Sequence, residues 1–141
     1  MIRRKKLIGA LAFICATVTL STSVTYAATE ITGTSSGGSL GKAYCIGKIT
    51  TSQGGLFSND SVTAYTQCDA VADEISVKSV VWYNDGNSEV YKAVDKDGYN
   101  MTGKVEATAK APNDYANKGT GGHYYSSSKR GTWGGGTSKQ F

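Results

Sequence analysis

Three cysteines and one histidine are the residues of this chain whose types could carry covalent or acid–base chemistry. Cys15 lies in an apolar run near the N-terminus, so only Cys45 and Cys68 remain beyond it. A cysteine nucleophile needs a free thiolate, whereas an even pair in an exported chain is typical of a disulfide. We predict that Cys45 and Cys68 form a disulfide. A redox or metal-binding pair is the alternative, but the chain lacks a C-x-x-C pattern.

His123 is the sole histidine, and a Ser-His-Asp triad would have to use it. Ser126–Ser128 and Asp114 are the partners that the sequence offers nearby. The chain has no G-x-S-x-G elbow, which a hydrolase of that type would carry. We therefore expect a structural histidine and predict that the chain has no catalytic residue and is not an enzyme.

The stretch that contains Asp95, Asp97 and Asn100 could offer oxygen ligands to calcium. An EF-hand loop needs glycine at its sixth position, and here Gly98 occupies the fourth. The twelfth position falls on Glu106, in a segment predicted as a strand. We interpret the stretch as an ordinary Asp-Gly turn and predict no metal site and no cofactor.

Aromatic side chains are the remaining candidates for a site, because the chain carries nine tyrosines and two tryptophans. Tyrosine and tryptophan give rigid, amphipathic contact area that suits sugars or protein partners. Tyrosine is also common on solvated strands, so part of this set is ordinary sheet surface. Tyr115, Tyr124 and Trp133 lie in or near glycine-rich segments, and we predict them as binding residues for a cell-wall polysaccharide or a surface protein.

Residues 1–27 have the pattern of a secretory signal peptide. Basic residues come first, the apolar run Leu7–Leu20 follows, and the small-x-small triplet Thr25–Ala27 provides a cleavage site. The run has 14 residues, which is short for a helix that must cross a bilayer with about 20 residues. We predict a signal helix that is removed after Ala27 and a secreted product; a retained N-terminal anchor is the alternative.

Removal of the leader changes the charge of the chain. The whole sequence has a formal net charge of +4, and the four bases Arg3–Lys6 account for all of it. The remaining chain is neutral and has one adjacent basic pair, Lys129 and Arg130, whereas binding to nucleic acid needs clustered Lys and Arg. We predict no nucleic-acid partner and no membrane span in the mature chain.

After the leader, the pattern is that of strands separated by turns, with no convincing helix. Residues 28–39 predict a flexible lead-in that includes a short edge strand at Glu30–Thr34, and residues 40–141 predict one domain. Alternation of apolar and polar residues indicates strands, and turns are expected at Asp69–Glu74, Asn84–Asn87 and Lys96–Gly98. The apolar pair Leu56–Phe57 is expected to enter the core. Together these features predict an all-β, antiparallel sandwich of about six to eight strands.

Cys68 and Trp82 fall on consecutive predicted strands, and this arrangement is similar to that of immunoglobulin-type domains. No third cysteine follows on a later strand, so the resemblance is one of architecture. The segments Ile75–Tyr83, Val105–Ala109 and Gly122–Tyr125 also resemble those of small exported Ig-like proteins of Gram-positive bacteria. The resemblance implies location and fold. For function we predict a secreted, non-catalytic binding module, with a secreted antimicrobial or toxin-like protein as the alternative.

Overall fold

The structure, a computed structural model, describes residues 28–112 and 115–141. These residues form six antiparallel strands, which confirms the all-β prediction. The strands are β1 (Glu30–Thr34), β2 (Tyr44–Ser52), β3 (Ser61–Asn84), β4 (Glu89–Lys110), β5 (Ala116–Ser127) and β6 (Gly131–Gln140). No helix that is long and apolar enough to cross a membrane occurs in the described ranges. The predicted signal helix at 1–27 lies outside them.

All six strands belong to one sheet with the order β1-β2-β3-β5-β6, and β4 pairs with the other edge of β3. The N-terminal half of β3 pairs with β2, and its C-terminal half pairs with β5. The segment Ile75–Tyr83 therefore has neighbours on both sides, which suits its apolar residues on both faces. The short strand at Glu30–Thr34 also forms as expected.

The long hairpin of β3 and β4 bends in the middle. Its register shifts between Cys68 and Ala72, where β3 has extra residues, and such a bulge bends a strand. On β4, opposite the bulge, Asn100 and Gly103 have φ angles of 51° and 103°, in the left-handed region that favours glycine or asparagine. The backbone of both strands therefore turns a corner together.

The bend places the two halves of β3 face to face. The Thr66 hydroxyl donates to the Ser76 carbonyl at 2.8 Å, and the Ser79 hydroxyl donates to the Val62 carbonyl at 2.7 Å. Each bond joins the N-terminal half of the strand to the C-terminal half. Buried hydroxyls with such partners avoid the cost of desolvation without a hydrogen bond.

The first and last strands meet on the side of the molecule opposite the long hairpin. The Ser36 amide donates to the Thr132 carbonyl at 2.9 Å, and the Ser138 amide donates to the Ala28 carbonyl at 3.2 Å. The single sheet thus curls until it is nearly barrel-like. Two separate sheets, as in the predicted sandwich, are not seen. Within the described residues, all six strands and the core lie from Ala28 onward.

The core is built from residues on the inward phase of the strands, as the alternation predicted. The buried apolar residues include Ile49, Val62, Ala64, Ile75, Val77, Val81, Val105, Ala107, Ala109 and Tyr125. The Tyr125 hydroxyl donates to the carbonyl of Val71 in the bulge at 3.1 Å. The side chain of Tyr125 therefore fills the core and its polar end holds the bend.

The predicted disulfide between Cys45 and Cys68 is present. The two residues are directly opposite each other on β2 and β3, with Cα atoms 4.3 Å apart. Both are buried. The bond joins β2 to β3 at the point where β3 enters its bulge, so it fixes the register at the start of the bend.

Two expectations about turns are wrong. Asp69–Glu74 and Lys96–Gly98 do not reverse the chain; they lie within β3 and β4, which continue through them. Their polar residues serve a bend and an exposed strand rather than a turn. The glycine run at Gly134–Gly136 lies within β6, where those glycines pair in register with β5.

The prediction that Leu56 and Phe57 enter the core is also wrong. Both side chains are fully exposed at the tip of the loop between β2 and β3. The core is packed without them; for example, the side chains of Val62 and Ile49 lie against the backbone of Gly119.

Replacement of both Cys45 and Cys68 by alanine should lower the free energy of unfolding by about 3 kcal/mol, because the unfolded chain regains the freedom of a loop with a sequence separation of 23. Urea unfolding of the chain from Ala28 measures the difference. Wild-type protein in reducing buffer should match the variant, and equal stability of the oxidised and reduced forms would contradict this role.

Candidate functional site

The outer face of the sheet, on the C-terminal half of β3, carries the most exposed aromatic surface in a regular strand arrangement. Ile75, Val77 and Val81 point inward, so the alternate residues of β3 point outward. The cross-strand register places residues of β4, β5 and β6 beside them. We call this surface the outer face; its aromatic members are Trp82, Tyr91, Tyr99 and Tyr124.

Trp82 and Tyr91 are directly opposite each other on β3 and β4. Their ring centroids are 4.9 Å apart and the planes are tilted by 45°, which lies within the favourable range for aromatic pairs. Tyr91 is 59% exposed. The Trp82 indole N–H is 3.3 Å from the Thr120 hydroxyl, to which it donates. Trp82 is therefore held in place while the Tyr91 ring remains available.

A lysine completes this aromatic pair. The Lys118 Nζ lies 5.1 Å from the centroid of the Trp82 ring, within the range of a cation–π contact. Lys118 is the β5 residue opposite Trp82. The cluster of Trp82, Tyr91 and Lys118 thus combines aromatic surface with hydrogen-bond donors that a ligand's oxygen atoms could use.

The outer face is flat along β6 beside Tyr124, because the exposed residues Gly134 and Gly136 have no side chains. Gly122 lies opposite Gly136, and Tyr124 lies opposite Gly134. A Cβ atom at position 134 would be 3.7 Å from Tyr124 Cδ2, so the Tyr124 ring lies over the bare backbone of β6. An extended ligand would meet no projecting side chain at Gly134 and Gly136.

Acidic groups lie beside Tyr99 at the other end of the outer face. Burial, and next the charge of Asp97, raise the pKa of Glu74. Burial and the charge of Asp95 raise the pKa of Asp97. Lys78 offsets part of this charge through an ion pair with Asp95, at 3.6 Å. Across the described residues, no group of three or more His, Cys, Asp or Glu is arranged to hold a metal ion.

The structure does not bring the three predicted binding residues together. Tyr124 lies on the outer face. Trp133 is half-buried against the core, and its ring covers Gly33 of β1. Tyr115 is exposed just before β5 and lines an open pocket of about 380 Å³ with Asn84 and Asp85. Binding by these residues stays a prediction, for which the outer face supports Tyr124 most directly.

Sequence reasoning missed the pairing of Trp82 with Tyr91, although one signal was present. Trp82 was considered only for its arrangement with Cys68, and Tyr91 was not among the predicted binding residues. The turn at Asn84–Asn87 was predicted correctly, and the ladder closes with Asn84 opposite Glu89. Counting back from that turn by two residues on each strand would have placed the two rings opposite each other.

A larger pocket of about 490 Å³ lies at the bend, lined by Leu40, Asp69, Asp73 and Arg130 among others. Its charged groups already have partners within the protein. Asp73 accepts from the Ser128 amide at 2.6 Å, and this bond lowers the pKa of Asp73. Arg130 donates to the Leu40 carbonyl at 2.6 Å. These groups tie loops together, so we assign the pocket no site.

His123 lies in the interior, almost completely buried. Its Nδ1 is 3.0 Å from the Thr66 hydroxyl, and its Nε2 is 2.8 Å from the Thr137 hydroxyl. Because Thr66 gives its own proton to the Ser76 carbonyl, it can only accept from Nδ1–H. Nε2 must then accept from Thr137, which fixes one neutral tautomer. Burial lowers the pKa of His123 to about 4.

The space for this imidazole exists because Gly47 has no side chain. A Cβ atom at position 47 would be 2.5 Å from His123 Cγ, too close for any real contact. A glycine inside β2 is thus explained by a close neighbour, the imidazole of His123. The ring therefore packs flat on the backbone of β2.

Substitution Gly47→Ala should lower the free energy of unfolding by about 1–3 kcal/mol, the usual effect of overpacking a core. Gly55→Ala is the matched control, because a Cβ atom there would meet nothing within 4 Å. Urea unfolding of both variants tests the difference. A Gly47→Ala protein as stable as Gly55→Ala would contradict the packing described here.

Acidification should weaken the fold through His123. The unfolded chain binds a proton near pH 6.5, but the folded chain does not until about pH 4. The unfolded state therefore binds more protons between these values, and stability falls as the pH falls through that window, by up to about 3 kcal/mol. Urea unfolding from pH 7 to pH 4 measures this slope. In His123→Gln the slope should shrink, and parallel curves for the two proteins would contradict the assignment.

In comparisons with known proteins, no family model, no curated protein and no solved structure matches the chain.

Proposed function

We propose that this chain is an exported, non-catalytic binding protein whose outer face holds an extended surface polysaccharide. The observation that carries the proposal is the Trp82–Tyr91 pair, with centroids 4.9 Å apart on an exposed sheet face. Aromatic rings offer a flat apolar surface with polar edges, which suits the alternating C–H and hydroxyl surface of a sugar ring. The exposed glycines Gly134 and Gly136 beside Tyr124 leave room for further sugar units.

Polar groups around the rings support the same ligand class. Lys118 can donate to sugar hydroxyls, whereas Glu74 and Asp97 can accept from them. The charges are mixed rather than of one sign, which fits a neutral or weakly charged polymer better than a polyanion. A binding role without catalysis is supported by His123, whose two ring nitrogens are both bonded to threonines, and by the two sulfurs joined in a disulfide.

Export is part of the proposal and rests on the leader pattern at 1–27. The disulfide is consistent with a compartment outside the cytoplasm. Kinship with Ig-like exported proteins of Gram-positive bacteria remains a proposal that rests on short sequence patterns. The antimicrobial or toxin-like alternative would be favoured if purified protein inhibited the growth of related bacteria at concentrations where no polysaccharide is bound.

Substitution Tyr91→Ala should weaken binding to purified cell-wall polysaccharide by about 30-fold, since removal of an aromatic anchor typically costs 2 kcal/mol or more. Trp82→Ala should have a similar or larger effect. Tyr44→Ala is the control, because Tyr44 is 46% exposed but lies on β2, away from the outer face. Affinity electrophoresis or titration calorimetry measures the difference.

Two results would overturn the proposal. One is the absence of any retention of wild-type protein on cell-wall polysaccharide. The other is retention that Tyr44→Ala weakens as much as Tyr91→Ala, because general loss of tyrosine surface would then explain the effect. Thermal unfolding of each variant confirms that a change in binding does not reflect a loss of fold.

A further inference from the structure

The loop between β2 and β3 ends in a tight turn that displays two large apolar side chains. The Ser58 amide donates to the Gly55 carbonyl at 3.2 Å, so Leu56 and Phe57 are the two central residues of the turn. Leu56 is 96% exposed and Phe57 is 101% exposed. We call Gly55–Ser58 the tip. Its two side chains make almost no contact with the rest of the molecule.

The turn itself does not need these residues. Tight turns favour Gly, Asn, Asp, Ser or Pro, each for a backbone or hydrogen-bonding reason. Neither Leu56 nor Phe57 has a positive φ angle, and neither packs against the core. Adjacent exposed apolar side chains are unfavourable in water. Because neither the turn nor the core requires Leu56 and Phe57, their position at the end of the loop indicates a contact with something outside the fold.

The base of the loop is held firmly by Asp60, which is buried. One oxygen of its carboxylate accepts from the Gly54 amide at 2.6 Å, and the other accepts from the Ala116 amide at 3.0 Å. The Asp60 carbonyl also accepts from the Ala111 amide at 2.9 Å. The tip is therefore presented on a fixed base that joins three segments, rather than on a slack loop.

The tip lies at the end of the molecule where the leader joins the fold. The Ala28 carbonyl accepts from the Ser138 amide, and the Thr29 carbonyl accepts from the Ile49 amide. From Ile49, β2 runs a few residues further to Ser52 and then enters the loop with the tip. In the retained-anchor alternative, the apolar run Leu7–Leu20 would bring this end of the fold to the bilayer; after cleavage at Ala27 the tip would make the contact alone.

The chemistry of the tip favours lipid over a protein pocket. Side chains that project without neighbours have no flanking wall, whereas a protein interface needs an extended, complementary patch. A bilayer closes around any projecting apolar group. This end of the molecule carries charges of both signs, Lys110 and Lys139 as well as Asp85 and Glu89. Electrostatic attraction to anionic lipid should therefore contribute little.

We propose that Leu56 and Phe57 insert into the surface of a lipid bilayer and hold the loop end of the folded chain against it. The contact is apolar and reversible, because two side chains bury far less surface than a membrane-spanning helix or a pair of acyl chains. It is independent of polysaccharide binding, which uses the outer face.

Co-sedimentation with lipid vesicles tests this contact on the chain from Ala28, which lacks the leader and contains all six strands. The vesicles are phosphatidylcholine, alone or with a minority of phosphatidylglycerol. Wild-type protein should bind both, and the double variant Leu56→Ser/Phe57→Ser should bind at least tenfold less. High salt should leave binding of the wild type nearly unchanged.

Leu40→Ser is the matched control, because Leu40 is 54% exposed at the opposite, bend end of the molecule. It should bind vesicles as the wild type does, and none of the substitutions should change the melting temperature or polysaccharide binding. Equal binding by wild type and double variant would overturn the proposal, as would binding that high salt abolishes. Self-association by size-exclusion chromatography that only the double variant loses, without vesicle binding, would assign the tip to a contact between copies instead.

Discussion

The bend in the β3–β4 hairpin is the constraint on which the rest of the structure depends. Without it, β3 would be a single extended ribbon with one side facing water, and neither half could cover the other. The bulge between Cys68 and Ala72 allows the strand to fold over itself. The hydroxyls of Thr66 and Ser79 then join the two halves, so the core is closed by one strand acting on both sides.

The interior closed in this way is partly polar, and three of its hydrogen bonds form a chain that runs in one direction. Thr137 donates a hydrogen bond to His123, His123 donates to Thr66, and Thr66 donates to the Ser76 carbonyl. This series of hydrogen bonds links β6, β5 and both halves of β3. A buried network stabilises only when every member has a partner. Such a network specifies which strands face each other more strictly than interchangeable apolar residues would.

Much of the strand content could be predicted from the sequence, because inward residues such as Val62, Ala64 and Cys68 alternate with outward ones. The hairpin at Asn84–Asn87 was equally readable from its turn chemistry. The bend could not be predicted, because Asp69–Glu74 has the composition of a turn. Only the pairing with β4 shows that β3 continues through this segment. The exposed tip was missed for a related reason: apolar pairs are usually buried, and local pattern carries no information about what an apolar residue will meet in three dimensions.

The outer face and the tip are compatible because of how the strands run. The C-terminal half of β3 and its partners extend from the bend toward the end that carries Ala28 and the tip. If the tip rests on a bilayer, these strands extend away from the bilayer surface, and the outer face with Tyr91 is not covered by lipid. A polymer lying outside the membrane could then bind along the face without competing with the lipid contact. The bend brings both ends of β3 to the end of the molecule that carries the tip, so the outer face and the tip belong to one folded unit.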